Sequence, residues 1–208
     1  MLVLSEYIVR LMKFPRRCIS FIIKLYYKRV FGEFHWNSSI MSPMHIVGHH
    51  RIYIGNNVRI QNLAWLQAVP LTGKQDCKLK IGSNSTLGHF NHIIATSSVV
   101  IGANVLTADK VYISDNIHGY EDITVPIKSQ PIHQKQDVFI GDNSWLGENV
   151  CVIGASVGRH CVIGANSVVT RNIPDYSVAV GSPAVVIKRY DFNKQEWRKT
   201  DSIGNFIY

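Results

Sequence analysis

The sequence predicts an all-β solenoid, a coil of short parallel strands joined by tight corners, and three observations predict it. An aliphatic residue followed by glycine recurs on a six-residue lattice, at Ile54-Gly55, Ile81-Gly82, Leu87-Gly88, Ile101-Gly102, Ile140-Gly141, Leu146-Gly147, Val157-Gly158 and Ile163-Gly164. In several units a small or β-branched residue stands four places after the aliphatic one, as at Val58, Ser85, Val105, Ser144, Val150, Cys161 and Ser167. Six is not a multiple of 3.6, so this pattern draws no stripe on a helix. A β-sandwich is excluded as well, because its turn signals fall every 8–12 residues and not at a fixed offset of six.

The elements follow in order. Residues 46–190 hold the repeat and form the solenoid, with about six residues on each of three sides. The aliphatic residue points into the prism and stacks on its counterpart in the next coil. Gly, Asn and Asp fill the corners, where positive φ costs them little. The phase resets across residues 66–79 and between Ile93 and Ile101, and the step from Val152 to Val157 is five residues long. That short step is expected to distort one coil. Residues 115–137 carry two prolines and mostly polar side chains, so they leave the prism as a loop; loops of that length in compact repeats are usually functional.

Residues 1–45 form a basic, helical N-terminal segment. Two pieces, 1–14 and 16–31, are separated by Pro15. In the second, Arg17, Lys24 and Lys28 fall on one side, and Ile19, Ile22, Ile23, Tyr26 and Val30 on the other. That pattern suits either a cap over the first coil with its basic side in water, or contact with an anionic membrane through residues 1–30. Residues 191–208 are expected to form a short C-terminal helix, over 191–200, and a tail.

The chain has 208 residues, 17% charged and 46% hydrophobic, with mean hydropathy near zero. Such a composition folds and excludes extended disorder. Cys18–Ile23, the longest uncharged apolar run near the N-terminus, is too short to span a bilayer, and Glu6 and Arg10 interrupt any signal-peptide core. The expected location is cytoplasmic, with peripheral membrane contact open. Net charge is +8, of which residues 1–30 supply +6 through Arg10, Lys13, Arg16, Arg17, Lys24, Lys28 and Arg29 against Glu6. The nearly neutral body argues against a nucleic-acid partner despite a pI near 9.4. Cys18, Cys77, Cys151 and Cys161 lack metal-ligand spacing and read as reduced thiols.

The stretches IGDNSWLGENV (140–150) and VGRHCVIGANSVVTRNIPDYSVAVGSPA (157–184) resemble the hexapeptide-repeat acyltransferases, closest to the acetyl-CoA-dependent sugar and polysaccharide O-acetyltransferases. The resemblance covers about residues 46–190. It implies a left-handed parallel β-helix, homotrimers with sites between subunits, acetyl-CoA as co-substrate, a sugar or glycan acceptor and no metal.

The family carries Asp-x-x-His at the start of the loop, then Pro-Ile and Gln-Pro; here these are Asp115, His118, Pro126-Ile127 and Gln130-Pro131. The resemblance makes His118 the general base of acyl transfer. A hydroxyl attacks a thioester poorly unless its proton is removed as the bond forms, and imidazole, with a pKa near about 6.5, suits that task. Asp115 orients the loop or the imidazole, or caps a turn. For the donor the resemblance points to Trp145 at an outward corner beside Gly147, the strip Gly164, Ala165 and Asn166, and the Ser182-Pro183-Ala184 turn. Arg171, Lys188 and Arg189 are the cations expected for its phosphates. Val185 stands where the family often has Lys, and Arg171 replaces another Lys.

Other readings stand beside this one. His89 and His92 with His118 of a neighbouring subunit form a zinc alternative, but Ile123 occupies the place where that pattern has another histidine. A non-catalytic glycan-binding or assembly scaffold keeps the fold without the chemistry. The same base and donor also serve an amino sugar.

Overall fold

The computed structural model describes residues 20–201 and 204–207. Three parallel sheets form the sides of a triangular prism, and the chain visits them in turn. The first face stacks Glu33–Phe34, Ile52–Ile54, Lys78–Ile81, Ser98–Ile101 and Val138–Ile140. The second stacks Ser39–Ile40, Arg59–Ile60, Thr86–Leu87, Leu106–Thr107, Trp145–Leu146, Val162–Ile163 and Ser177–Gly181. The third stacks His45–Val47, Trp65–Ala68, His92–Ala95, Tyr112–Ser114, Cys151–Ile153 and Val168–Val169. The coil thus begins at Glu33, upstream of the expected residue 46.

The aliphatic residues form ladders inside the prism. Ile54, Ile81, Ile101 and Ile140 pair in register on the first face, and Ile60, Leu87, Thr107, Leu146, Ile163 and Ala179 on the second. Leu66, Ile93, Ile113, Val152 and Val169 complete the third. All are buried, and fully burying such a side chain contributes about 1.5–3 kcal/mol. Thr107 is the polar rung. Its hydroxyl accepts from the Asn91 amide at 2.9 Å, and Asn91 in turn accepts the Val111 N–H at 2.9 Å.

The corners explain the residue four places after each aliphatic. Ser85 donates to the Gly102 carbonyl at 2.9 Å and accepts the Val105 N–H at 3.0 Å, tying one coil to the next. Ser38 and Ser144 do the same two coils away on either side. Asn57, Asn84, Asn104 and Asn143 occupy the left-handed region at one corner, where their amides pair across coils at 3.1 Å.

Spacing is constant at two edges and variable at the third. From first to second face, and from second to third, equivalent rungs are six apart, as in Ile54, Ile60, Leu66 and in Ile140, Leu146, Val152. Every change of length occurs on the return from the third face to the first: residues 69–77, the short step at 96–97, the loop 115–137 and the step after Val152. The five-residue step perturbs its coil only locally, leaving isolated bridges in place of strands on the first face beyond Ile140. Gly154 takes it up at φ 51° with its N–H on the Ser114 carbonyl at 2.7 Å, and Val157 still bridges Ile140 and Ile173.

The ends depart from expectation. Residues 1–19 lie outside the described residues, so the first helical piece and the Pro15 break are not placed. Residues 20–30 are helical (α1) and cover the first coil through Tyr27, which packs against Phe31 and Phe34 at ring distances of 5.1 and 5.3 Å. Lys24 faces inward, donating to the Trp36 carbonyl at 2.9 Å, whereas Ile22 and Tyr26 are exposed. Neither expected face is kept whole: Lys24 turns inward beside Val30, while Lys28 stays exposed together with Ile22 and Tyr26. The helix expected over 191–200 is a strand. Ala184–Asp191 and Glu196–Lys199 fold back as an antiparallel hairpin that extends the second face. Asp191 closes its turn, accepting the N–H groups of Asn193 and Lys194 and the Arg198 guanidinium at 3.0 Å. Pairing satisfies that local backbone more completely than one isolated helical turn would.

Candidate active site

The loop leaves the prism as an antiparallel hairpin, Asn116–His118 with Ile132–Gln134. Its root is Asp115, fully buried at the variable edge. The carboxylate accepts the N–H groups of Thr96, Ser97 and Ser98 at 2.7–2.9 Å, the Thr96 hydroxyl at 2.8 Å and the Asn116 amide at 2.9 Å. Its carbonyl accepts the Lys135 N–H from the returning arm. Asp115 thus fastens both arms of the loop to the preceding coil and spends its acceptors there. Of the three expected roles, holding the loop is the one its partners match.

Gln130 fixes the loop beyond the hairpin. Its amide donates to the carbonyls of Asp122 and Val125 at 2.8 and 2.9 Å, and Pro131 accepts the Gly119 N–H at 2.8 Å. Gly119 is required next to His118, because a Cβ there would lie 2.9 Å from both the Pro131 oxygen and His133 Nε2. These contacts give physical content to the Gln-Pro pair.

His118 ends its strand exposed, over a pocket of about 390 Å³ on the third face. Gln67, Ile94 and Tyr112 line the floor, and Asn116, Ile132 and Ile153 the sides. Beside the pocket runs an aromatic ladder: Trp65 stacks on His92 at 4.4 Å, and His92 meets the edge of Tyr112 at 5.3 Å. Burial pushes the His92 pKa down. His89 sits at another corner against Asp109 at 3.2 Å. Among the described residues, no three His, Cys, Asp or Glu side chains converge as a metal site.

A second pocket, about 470 Å³, opens on the second face between Trp145, His160, Val178, Lys188 and Trp197. Trp145 stands on the strand Trp145–Leu146, half-exposed, and not at a corner. Lys188 and Trp197 come from the C-terminal hairpin, where Trp197 packs edge-on against Tyr190 at 5.6 Å. An apolar trough with one cation suits a long apolar arm ending in phosphate.

The other expected donor residues divide. Gly147, Gly164, Ala165 and Asn166 stack at the edge between second and third faces; a Cβ on Gly147 would lie 2.7 Å from the Ala165 nitrogen. The Asn166 side chain is engaged, accepting from Asn149 at 3.1 Å. Ser182 and Pro183 form the exposed hairpin turn, and Ala184, half-buried, begins the following strand. Arg189 lies half-buried, its Nε without a hydrogen-bond partner. Arg171 sits at the variable edge, away from the second face, so it is not brought together with Trp145 and Lys188. Sequence reasoning missed Trp197, His160, Tyr112 and Gln67. The signal for Trp197 was its place opposite Tyr190, hidden by the helical reading.

A family model described as the hexapeptide repeat of succinyl-transferase matches residues 137–171. A Mycobacterium tuberculosis protein assigned as an acetyltransferase is 40% identical over 156 residues, 69% of this chain and 52% of that protein. The Escherichia coli protein WbbJ, assigned to O-acetyl transfer in lipopolysaccharide biosynthesis, is 39% identical over 56% of this chain and 63% of its own. The chain therefore spans between half and two thirds of these relatives. Among solved structures, the N-acyltransferase AntD of Bacillus cereus superposes with a TM-score of 0.65 at 20% identity, covering 80% of this chain and 87% of its own. A maltose O-acetyltransferase of Clostridium difficile gives 0.53 at 27% identity, covering 79% and 73%.

Proposed function

The chain belongs to the hexapeptide-repeat family, and from that premise we propose that it transfers an acetyl group from acetyl-CoA to a sugar hydroxyl of a surface glycan, on a left-handed coil. The observation that carries the reading is His118: a ring held at the mouth of a pocket by a hairpin whose root and tip are both fastened. The names of WbbJ and the maltose enzyme support oxygen as the acceptor atom.

In this mechanism the acceptor sugar enters the His118 pocket, where Tyr112 and Gln67 offer a polar and aromatic floor. The imidazole takes the hydroxyl proton as the oxygen attacks the thioester carbon. The tetrahedral intermediate then collapses, the carbon–sulfur bond breaks, and the imidazolium returns the proton to the departing thiolate. Such base assistance contributes about 10²–10⁴-fold. The donor lies along the second face, with Trp145 and Trp197 against its arm and Lys188 toward phosphate.

Within one chain the two pockets open on different faces. The reading is completed by a homotrimer in which His118 of one subunit faces the donor held by its neighbour. A glycan assembled on a lipid carrier places the enzyme on the inner face of the cytoplasmic membrane.

The test pairs two measurements. Calorimetry of acetyl-CoA should give micromolar binding with about one site per chain for both the parent and His118→Ala. Turnover on a glycan acceptor should fall at least a hundredfold in His118→Ala. Transfer at the parent rate would end the mechanism, and absence of donor binding would leave the scaffold reading.

A further inference from the structure

Helix α1 covers the end of the coil with one face and, among the described residues, has a second apolar face that nothing covers. Tyr27, Lys24 and Val30 lie toward the first coil, while Phe21, Ile22, Leu25 and Tyr26 are 52%, 63%, 46% and 54% exposed. With 3.6 residues per turn these four share the outward side with Lys28 and Arg29. Single exposed apolar residues need no explanation, but four large ones together on one short helix do. The patch continues beyond the helix: Phe21 meets the exposed Trp36 edge-on at 5.3 Å, with the rings at 77°.

We propose that this outward face of α1 is a docking surface for an anionic lipid bilayer, with the helix lying in the headgroup plane. Charge selects the occupant. Lys28 and Arg29 stand on the apolar side itself, and residues 20–30 contain no acid. The sequence before them adds Arg10, Lys13, Arg16 and Arg17 against Glu6 alone, so the cationic part of the chain is its apolar part. A second copy seated across a two-fold axis would set Lys28 and Arg29 against their own equivalents, which like-charge repulsion opposes. Lipid phosphates oppose them favourably. An interfacial helix is recognised by such a combination of apolar side chains and flanking cations, and Trp36 at the rim suits the boundary between headgroup and acyl chain.

The inference stands apart from acyl transfer, because neither pocket shares a residue with this face. Its test is co-sedimentation of the full chain with vesicles of phosphatidylcholine alone and of phosphatidylcholine with phosphatidylglycerol. Binding is expected on the anionic vesicles, weak on the neutral ones, and falling as salt is raised through the screening range. Ile22→Asp/Leu25→Asp should weaken it more than tenfold. Lys28→Gln/Arg29→Gln should weaken anionic-vesicle binding by about 25-fold, roughly five-fold per cation, and leave binding to neutral vesicles unchanged. Acetyl-CoA affinity should be the same in both variants. Failure of the parent chain to sediment with anionic vesicles overturns the proposal. So does full binding by the Lys28/Arg29 variant, which decides the matter if the apolar pair prevents folding. A loss of oligomeric state in Ile22→Asp/Leu25→Asp without loss of vesicle binding would assign the face to another copy of the chain instead.

Discussion

Replacing Asp115 by Asn tests the claim that this carboxylate holds the loop and does not act on the imidazole. One oxygen takes the Thr96 hydroxyl and the Asn116 amide, and the other takes the N–H groups of Ser97 and Ser98. An Asn side chain keeps one acceptor and turns an NH₂ toward two buried N–H donors. Each hydrogen bond to a charged group contributes about 1.5–3 kcal/mol, so the substitution should cost about 3–6 kcal/mol. That is a large share of the roughly 5–15 kcal/mol that holds an ordinary domain together. Urea unfolding read by circular dichroism should show a lower midpoint. At temperatures where the variant stays folded, acetyl transfer should fall because His118 is no longer held, while acetyl-CoA affinity should persist on the second face. A stability loss below about 1 kcal/mol would refute the anchoring argument. A stable, inactive variant whose His118 titration, followed by NMR, had moved by more than one unit would show that the carboxylate acts on the ring.

Other expectations follow from the same geometry. Trp145→Ala and Trp197→Ala should each weaken acetyl-CoA binding by about tenfold or more, the scale of uncovering a large apolar contact, with little change in melting temperature; unchanged affinity in both would move the donor elsewhere. Phe90 holds φ 56° at a corner where Asn149 and Asn166 stand in later coils, so Phe90→Asn should relieve about 1 kcal/mol of left-handed strain and raise Tm by about 2–4 °C. A lower Tm would mean that something in the assembly covers the ring. Burial pushes the Cys77 and Cys161 thiols up to about 11, so alkylation near pH 8 should require unfolding. Because those values lie above the ordinary thiol range, the neutral thiols' stabilisation is complete below about pH 9 and is lost as pH rises toward 11; stability flat across that window would contradict their burial.

The prism was legible because two of its three edges keep strict count. Ile54, Ile60 and Leu66 announce three faces by spacing alone, and corner asparagines mark where the backbone turns. The third edge has no count to keep, so the first coil at Glu33, and the way the short step after Val152 is absorbed at Gly154, were hidden. The C-terminal hairpin was hidden by composition: Lys194, Gln195, Glu196 and Arg198 favour helix, and only Asp191 capping the turn and Tyr190 facing Trp197 show the strand. The inner face of helix α1 was misread in part because Lys24 was assigned to water, although Val30 packs inward and Lys28 stays exposed as expected. The aliphatic stem of Lys24 lies along the protein while the ammonium reaches the Trp36 carbonyl. In the loop, the place of His118 beside a pocket was signalled by the Asp-x-x-His motif at the loop's start. The task of Asp115 was not, since its partners Thr96–Ser98 are brought to it only by the coil.

The variable edge has a consequence for how such a chain changes over generations. A residue inserted at the Asn84 or Asn149 corner would shift every later rung by one and turn the ladder out of the core. Nine residues at 69–77, or the whole loop 115–137, are accommodated on the return from the third face without moving any rung. One side of the molecule is therefore a rack on which loops of any length can be hung, exchanged or lost, while the other two corners serve as its ruler. New acceptor pockets can arise there by trading loops, with no new fold to invent.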